Sequence, residues 1–279
     1  MSDKGSIKVA LADARRRGVD LLDAQLMLAR LLGSTRTQLI AHDEDLLAPE
    51  VGARWSDWLE RRAAGEPLAY LLGEKEFHGL MLEVTPDVLV PRPETELLVD
   101  WALELSPTLG EAPRILDLGT GSGAIALAIK RACPQARITA TDASPAALAV
   151  ARRNADRHAL DVEWIETSWW QGLEARRFDL VVANPPYVRE GDPALPALRH
   201  EPRSALASGH DGLEALHAIV AGIDRCLRAG GWLLLEHGFD QAEPVRTLMA
   251  AAGFEDIELR RDLAGHPRAT GARRSLASP

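Results

Sequence analysis

An α/β fold, with a parallel sheet covered by helices and a small N-terminal helical bundle joined to it by a β-hairpin connector, is the class the sequence predicts. Three observations predict it. Residues 1 to about 70 carry helical periodicity without strand alternation; from Arg114 onward, strand-like and helix-like segments alternate; and a glycine-rich turn stands at the first strand-to-helix junction. The length of 279 residues exceeds the usual single domain and agrees with a division into two. The expected boundaries are 1–72 for the bundle, 73–90 for the connector and 91–279 for the α/β domain.

In the bundle, "DLLDAQLMLARLLG" places Leu21, Leu22, Met27, Leu28, Leu31 and Leu32 largely on one side of a helix. Gly18, Gly33 and "AAGEP" mark the breaks between helices. The connector reads "EFHGLMLEVTPDVLVPRPETE", and a helix follows at "ETELLVDWALEL". The α/β pattern then runs "RILDLG", "SGAIALAIKRAC", "RITATD", "SPAALAVARRNADRHA", "VEWIE", "FDLVVAN", "DGLEALHAIVAGIDRCLRAGG", "GWLLLEHG", "AEPVRTLMAAAG" and "FEDIELRRD". Ser144 before Pro145 reads as an N-cap with proline at the first helical position, and Asp211 with Glu214 has capping-box spacing. The last residues read as a variable tail.

Composition narrows the function classes. The apolar fraction of 46% suits an ordinary core, and no window approaches the ~18 apolar residues of a membrane span. The N-terminus lacks the pattern of a secretory signal, so a cytoplasmic location is expected. Cys133 and Cys226 have no metal-like spacing; buried reduced thiols and no metal site are the expectation. A formal net charge of −9 argues against a stable nucleic-acid partner.

"DLGTGSGA" holds Gly119, Thr120, Gly121, Ser122 and Gly123 between the first strand and first helix of the α/β domain, where glycines let the backbone approach a ligand. Asp142 ends the second strand, where a carboxylate can accept both hydroxyls of an adenosine ribose. Together they point to a nucleoside cofactor, yet the loop also satisfies the loose dinucleotide pattern and does not separate NAD from S-adenosylmethionine. Downstream, "NPPY" puts Asn184, Pro185, Pro186 and Tyr187 behind a strand. The Asn184 side-chain carbonyl and the Pro185 backbone carbonyl can accept the two N–H bonds of a planar NH2 group, both aimed in advance by the prolines. Tyr187 can lie against the flat face of that group.

These stretches, with "FHG", "VLVPRPETELLV", "EPRSALASGHDGL" and "GGWLLLEHG" in the same order, closely resemble the PrmC/HemK family of protein-glutamine N5-methyltransferases acting on peptide chain release factors. The resemblance covers nearly all of the chain after residue 67. It implies a class I, Rossmann-like methyltransferase domain whose Gly119 to Gly123, Asp142 and Asn184 hold S-adenosyl-L-methionine, with Trp169 beside the adenine. It also implies that Asn184 to Tyr187 hold the glutamine of the GGQ motif in class 1 release factors. The helical N-terminus becomes a substrate-docking appendage, and a monomer is expected. The competing readings are an N6-adenine methyltransferase, which shares NPPY; a glutamine methyltransferase of a ribosomal protein, which differs at "PRPETE"; and a non-catalytic scaffold with a vestigial loop. His237 is a tempting base, but it is expected to pack beside the sheet end.

Overall fold

The computed structural model describes residues 5–276. The chain divides between Glu74 and Lys75 into two compact units.

Among the described residues the first unit contains five helices: α1 (Ile7–Arg16), α2 (Leu21–Leu32), α3 (Arg36–Ala41), α4 (Pro49–Ala63) and α5 (Leu68–Leu72). Local chemistry sets their ends. Asp20 accepts from the N–H groups of Leu22 and Asp23, Gly33 closes α2 at φ +61°, and Thr35 with Gln38 forms a full capping box on α3. The core gathers Met27, Leu28, Leu39, Trp55 and Leu59. Leu21 and Leu22 depart from expectation by being largely exposed. Leu21 lies two turns before Leu28 on the same helix face, so its exposure reflects a first turn that outruns the packed part of α2.

The second unit opens on a hairpin of β1 (Glu74–Phe77) and β2 (Leu80–Glu83), turned by His78 and Gly79 at φ +47° and +76°. Positive φ at both central residues matches the twist of a tight hairpin. Phe77, Leu80 and Leu82 join the core of α6 (Glu96–Leu105). The hairpin's end is fixed by Asn154, whose amide accepts from Glu83 N–H and donates to the carbonyls of Glu83 and Ser122.

Next come β3 (Arg114–Leu118), α7 (Ala124–Ala132), β4 (Arg137–Asp142), α8 (Pro145–His158), β5 (Glu163–Glu166), β6 (Phe178–Ala183), α9 (Glu214–Gly222), β7 (Leu227–Glu236), α10 (Ala242–Ala251), β8 (Phe254–Arg261) and β9 (Pro267–Arg274). The sheet order is β5-β4-β3-β6-β7-β9-β8, and β3 to β7 pair in parallel. Alternate residues serve opposite faces. Ile115, Leu180, Val182 and Leu234 pack with α6 and α7, while Leu116, Val181, Leu233 and Leu235 pack with α9 and α10. Burial on both faces is why these strands read as continuous apolar runs.

Three sequence expectations are corrected. β9, in a stretch that the sequence pattern assigned to no element, is an interior strand antiparallel to both neighbours. Its small residues conceal it: a Cβ on Gly271 would lie 2.4 Å from the Trp101 ring. β7 begins at Leu227, which pairs with Phe178 before a register shift, so the segment read as the end of a helix belongs to a bulged strand. Asp211 accepts from Leu213 N–H and forms no capping box; Ser208 Oγ accepts from Ala215 N–H at the start of α9 instead. Ser144, by contrast, caps α8 through Ala147 N–H.

The carboxyl ends of β3, β4, β6 and β7 lie side by side, because Leu118 aligns with Thr141 and Ala183, and Ala183 aligns with Leu235. Strand order reverses between β3 and β6, the crevice where parallel α/β sheets hold ligands.

Candidate active site

A cavity of about 370 Å3 occupies that crevice, lined by the glycine turn, Asp142, Trp169, Asn184 and the segments around Arg92 and Ser204. Its volume lies within the ~300–1,000 Å3 usual for small-ligand sites.

The glycine turn is folded back on β4 by two hydrogen bonds, from Gly119 N–H and Thr120 N–H to the Thr141 carbonyl. Gly119, Gly121 and Gly123 have φ of +73°, +56° and +84°, a region costly for any residue with a Cβ. Their tasks differ. Gly119 and Gly121 line the cavity, whereas a Cβ on Gly123 would crowd Leu127, Trp164 and Ala151 at 3.2–3.3 Å. Gly123 therefore permits close helix packing and lies outside the cavity wall. Asp117 braces the turn from beneath: its Oδ2 accepts from the Thr120 hydroxyl at 2.6 Å and from Ala126 N–H at 3.2 Å. Burial pushes the Asp117 carboxyl up to about 7.

Asp142 is held by Gly121 N–H on one oxygen and Ser144 N–H on the other, each at 2.9 Å. Burial raises its pKa, and those N–H groups oppose the rise. Its remaining lone pairs are available to a hydroxyl-bearing ligand on the cavity side. Trp169, at φ +49°, stands against the turn, with its ring 3.8 Å from where a Gly119 Cβ would be. Its neighbour Trp170 is a core residue that donates through Nε1 to the carbonyls of Ala218 and Ile219. A carboxylate, an aromatic wall and a turn whose Gly119 and Gly121 bring backbone to the cavity fit an adenosine-bearing cofactor.

Across the cavity, Asn184 donates through Nδ2 to Thr95 Oγ1 at 3.1 Å. Pro186 lines the cavity, while Pro185 is buried outside its wall, as is most of Tyr187. The Tyr187 hydroxyl donates to Glu236 Oε1 at 3.3 Å, and burial, followed by the charge of Glu236, raises its pKa. The Tyr187 carbonyl accepts from Gln241 Nε2 at 3.0 Å, and a Cβ on Gly212 would strike that carbonyl at 2.4 Å. The segment is thus clamped from three sides.

Sequence reasoning passed over Thr95, Glu201, Glu236 and Gln241. Glu201, buried, pairs with Arg92 and accepts from Val90 N–H at 3.1 Å, so "VPRPE" and "EPRSA" are two halves of one cavity wall. Glu96, in the first turn of α6, accepts from His78 N–H at 2.9 Å. His237 is no base. Its Nδ1 lies 2.9 Å from the Gly238 carbonyl and must donate, so Nε2 accepts from the Thr270 hydroxyl at 2.8 Å, and burial lowers its pKa. Among the described residues no cluster of His, Cys, Asp and Glu could hold a metal, and no helix is long and apolar enough to cross a membrane.

A mainly parallel sheet with this strand order, a glycine turn and an acidic β4 end at its switch point, and Asn-Pro-Pro-Tyr after β6 define a class I methyltransferase dependent on S-adenosylmethionine. The 16S rRNA N2 G1207 methyltransferase of T. thermophilus, solved with AdoMet and guanosine, shares this fold at a TM-score of 0.54 and 22% identity, over 72% of this chain and 49% of that one. The methyltransferase small domain model matches residues 94–210, and the PrmC N-terminal domain model matches residues 7–73. Release factor glutamine methyltransferases from Bordetella pertussis and Burkholderia pseudomallei are 48% and 50% identical to the chain. These matches cover 95% and 93% of this chain, and 98% and 94% of those proteins. The chain belongs to the release factor glutamine methyltransferase family.

Proposed function

We propose that Asn184 and the Pro185 backbone carbonyl hold the acceptor amide of the family's reaction. That reaction methylates the side-chain nitrogen, N5, of the GGQ glutamine in class 1 release factors. An amide nitrogen is a poor nucleophile because its lone pair is delocalised. Two acceptors on its N–H bonds hold it as it pyramidalises and gains positive charge. One observation carries this reading: Asn184 lines the same cavity as the glycine turn, and with Nδ2 committed to Thr95 its Oδ1 is left to accept.

S-adenosylmethionine, when bound, supplies an electrophilic methyl group. Backbone groups of Gly119, Thr120, Gly121 and Ser122 and the carboxylate of Asp142 would hold it, with Trp169 against the adenine. The acceptor nitrogen gains the methyl and gives up one proton, and no side chain of the site is required as a dedicated base. The first unit serves as the docking domain, because a free glutamine offers too little remote surface to hold its amide in line. The setting is the cytoplasm, and the enzyme acts as a monomer.

Methyl transfer to three acceptors side by side tests the reading, with the modified atom mapped by fragmentation mass spectrometry. A class 1 release factor is the expected acceptor, with almost no transfer to free glutamine or to an adenine-containing oligonucleotide. Preferential labelling of adenine would move the protein to the nucleic-acid class.

A further inference from the structure

A second cavity, of about 520 Å3, lies against the first. The chain from residue 201 to 206 is the partition between them. Pro202, Ser204 and Ala205 line the cofactor cavity, whereas Glu201, Arg203 and Leu206 line the second one. A partition one chain thick puts both cavities within reach of a single extended polypeptide, which advances ~3.3–3.6 Å per residue.

The second cavity is built by the excursion between β6 and α9, which starts directly after Asn-Pro-Pro-Tyr. Its foot is tied. Val188 N–H donates to the Leu206 carbonyl at 2.8 Å, Ser208 N–H donates to the Val188 carbonyl at 2.9 Å, and Glu190 N–H donates to the Gly209 carbonyl at 2.8 Å. The partition is tied as well, by Glu201, whose buried carboxylate accepts from Arg92 and from Val90 N–H. These bonds preform the cavity beside the acceptor end.

The wall is apolar. Leu195 and Leu198 are half-buried in a 3-10 turn and Leu206 is buried, yet none of the three belongs to either core of the second unit. Leucines that leave the core and meet around a cavity offer apolar surface for a ligand to cover. The carboxylates nearby are engaged, Glu201 as above and Asp192 with the N–H of Ala194. Arg203, exposed at the mouth, has no carboxylate partner among the described residues. An apolar side chain inside and an acidic group outside complement this arrangement.

We propose that the second cavity is a subsite for the release-factor segment next to the acceptor glutamine. It takes an apolar side chain of that segment against Leu195, Leu198 and Leu206, with Arg203 pairing to an acidic side chain at the mouth. The proposal rests on the release factor as acceptor. A reacting amide needs binding energy from remote parts of its substrate, and this surface supplies it beside the reacting group. A free metabolite fits less well: among the described residues no buried, unpartnered side-chain polar atom lies in the lining to orient one.

The full chain and a class 1 release factor provide the test. Photolysis of a Leu198→p-benzoylphenylalanine variant should cross-link it within about five residues of the acceptor glutamine, the reach of extended chain across the partition. Leu198→Asp should raise release-factor KM on the order of 10–100-fold, as loss of an interface anchor does, with kcat at saturation and S-adenosylmethionine Kd within about twofold. Leu198→Met, which keeps the apolar volume, should stay within about twofold of wild type. Arg203→Glu should raise KM about tenfold at low ionic strength and less at high salt. No cross-link, a cross-link to a distant part of the release factor, or an unchanged KM in both Leu198→Asp and Arg203→Glu would overturn the proposal. If Leu198→Asp loses cofactor affinity as well, the partition has collapsed, and the cross-link with Arg203→Glu decides. A wild type that leaves the release factor unmethylated fails the reading of the acceptor itself, whereas a methylated release factor with unchanged KM in these variants fails the subsite alone.

Discussion

The two ends of the cavity are built in opposite ways. At the cofactor end, the ligand-facing surface is mostly backbone, and its parts are close in sequence: the glycine turn, Asp117 beneath it and Asp142 beside it, linked by hydrogen bonds within residues 117–144. At the acceptor end, the working groups are side chains whose partners come from distant segments, Thr95 before α6, Asn184 and Tyr187 after β6, Glu236 at the end of β7 and Gln241 before α10. One end holds a ligand that is the same in every turnover and needs shape. In the function proposed above, the other must offer acceptors to the N–H bonds of a planar amide, which calls for side chains held in one orientation.

That contrast breaks most sharply at Asn184. Asn184→Ala should lower kcat on the order of a hundredfold or more, as loss of one preorganised partner of the transition state does, while cofactor affinity stays near wild type. Single-turnover rates beside calorimetric S-adenosylmethionine binding would show it. A loss of cofactor binding as large as the loss of rate would mean that the two ends are not separable.

Asp142→Ala is the converse and the smaller effect. Removing charge-assisted hydrogen bonds to the ribose should cost about 1.5–3 kcal/mol, or roughly 10–100-fold in S-adenosylmethionine Kd. The rate at saturating cofactor should change far less. Because the carboxylate also holds Gly121 N–H and Ser144 N–H, a thermal melt of the variant must accompany the calorimetry. Unchanged affinity in a folded variant would remove Asp142 from the cofactor site.

The same contrast explains what was legible in the sequence. The turn, Asp142 and NPPY sit at strand ends, where a glycine, an acid or a proline interrupts an apolar run and can be seen. Trp169 and Trp170 are adjacent and chemically alike; only packing sends one to the cavity and the other to the Ala218 and Ile219 carbonyls. Thr95 looked like an ordinary residue of a helix start, because its partner Asn184 is far away in sequence. Glu236 was overshadowed by His237, whose neutral, fully bonded ring only the sheet pairing reveals. β9 was missed because a strand packed beneath a Trp ring needs glycine and alanine, which carry no apolar alternation.

The smallest expected effect sharpens the comparison through one buried carboxyl at each end. Asp117 and Glu236 are both pushed up to about 7 by burial, from ordinary values of 3.8 and 4.5. The folded chain therefore retains protons that the unfolded chain has released, and stability falls as pH rises from the ordinary carboxylate range through about 7. Carboxyls held low by arginine partners, such as Glu104 and Glu163, act in the opposite sense, so the slope of the wild type alone is a sum. Taking the difference between Glu236→Gln and wild type isolates one end. The amide does not titrate, so the variant's Tm relative to wild type should rise between pH 5 and pH 8, by a few degrees if the difference is about 1 kcal/mol. The contribution of Asp117 should persist in both proteins. If the Tm difference were flat across that range, Glu236 would carry its charge at pH 5 as well, and the acceptor end would not share the strained ionisation of the cofactor end.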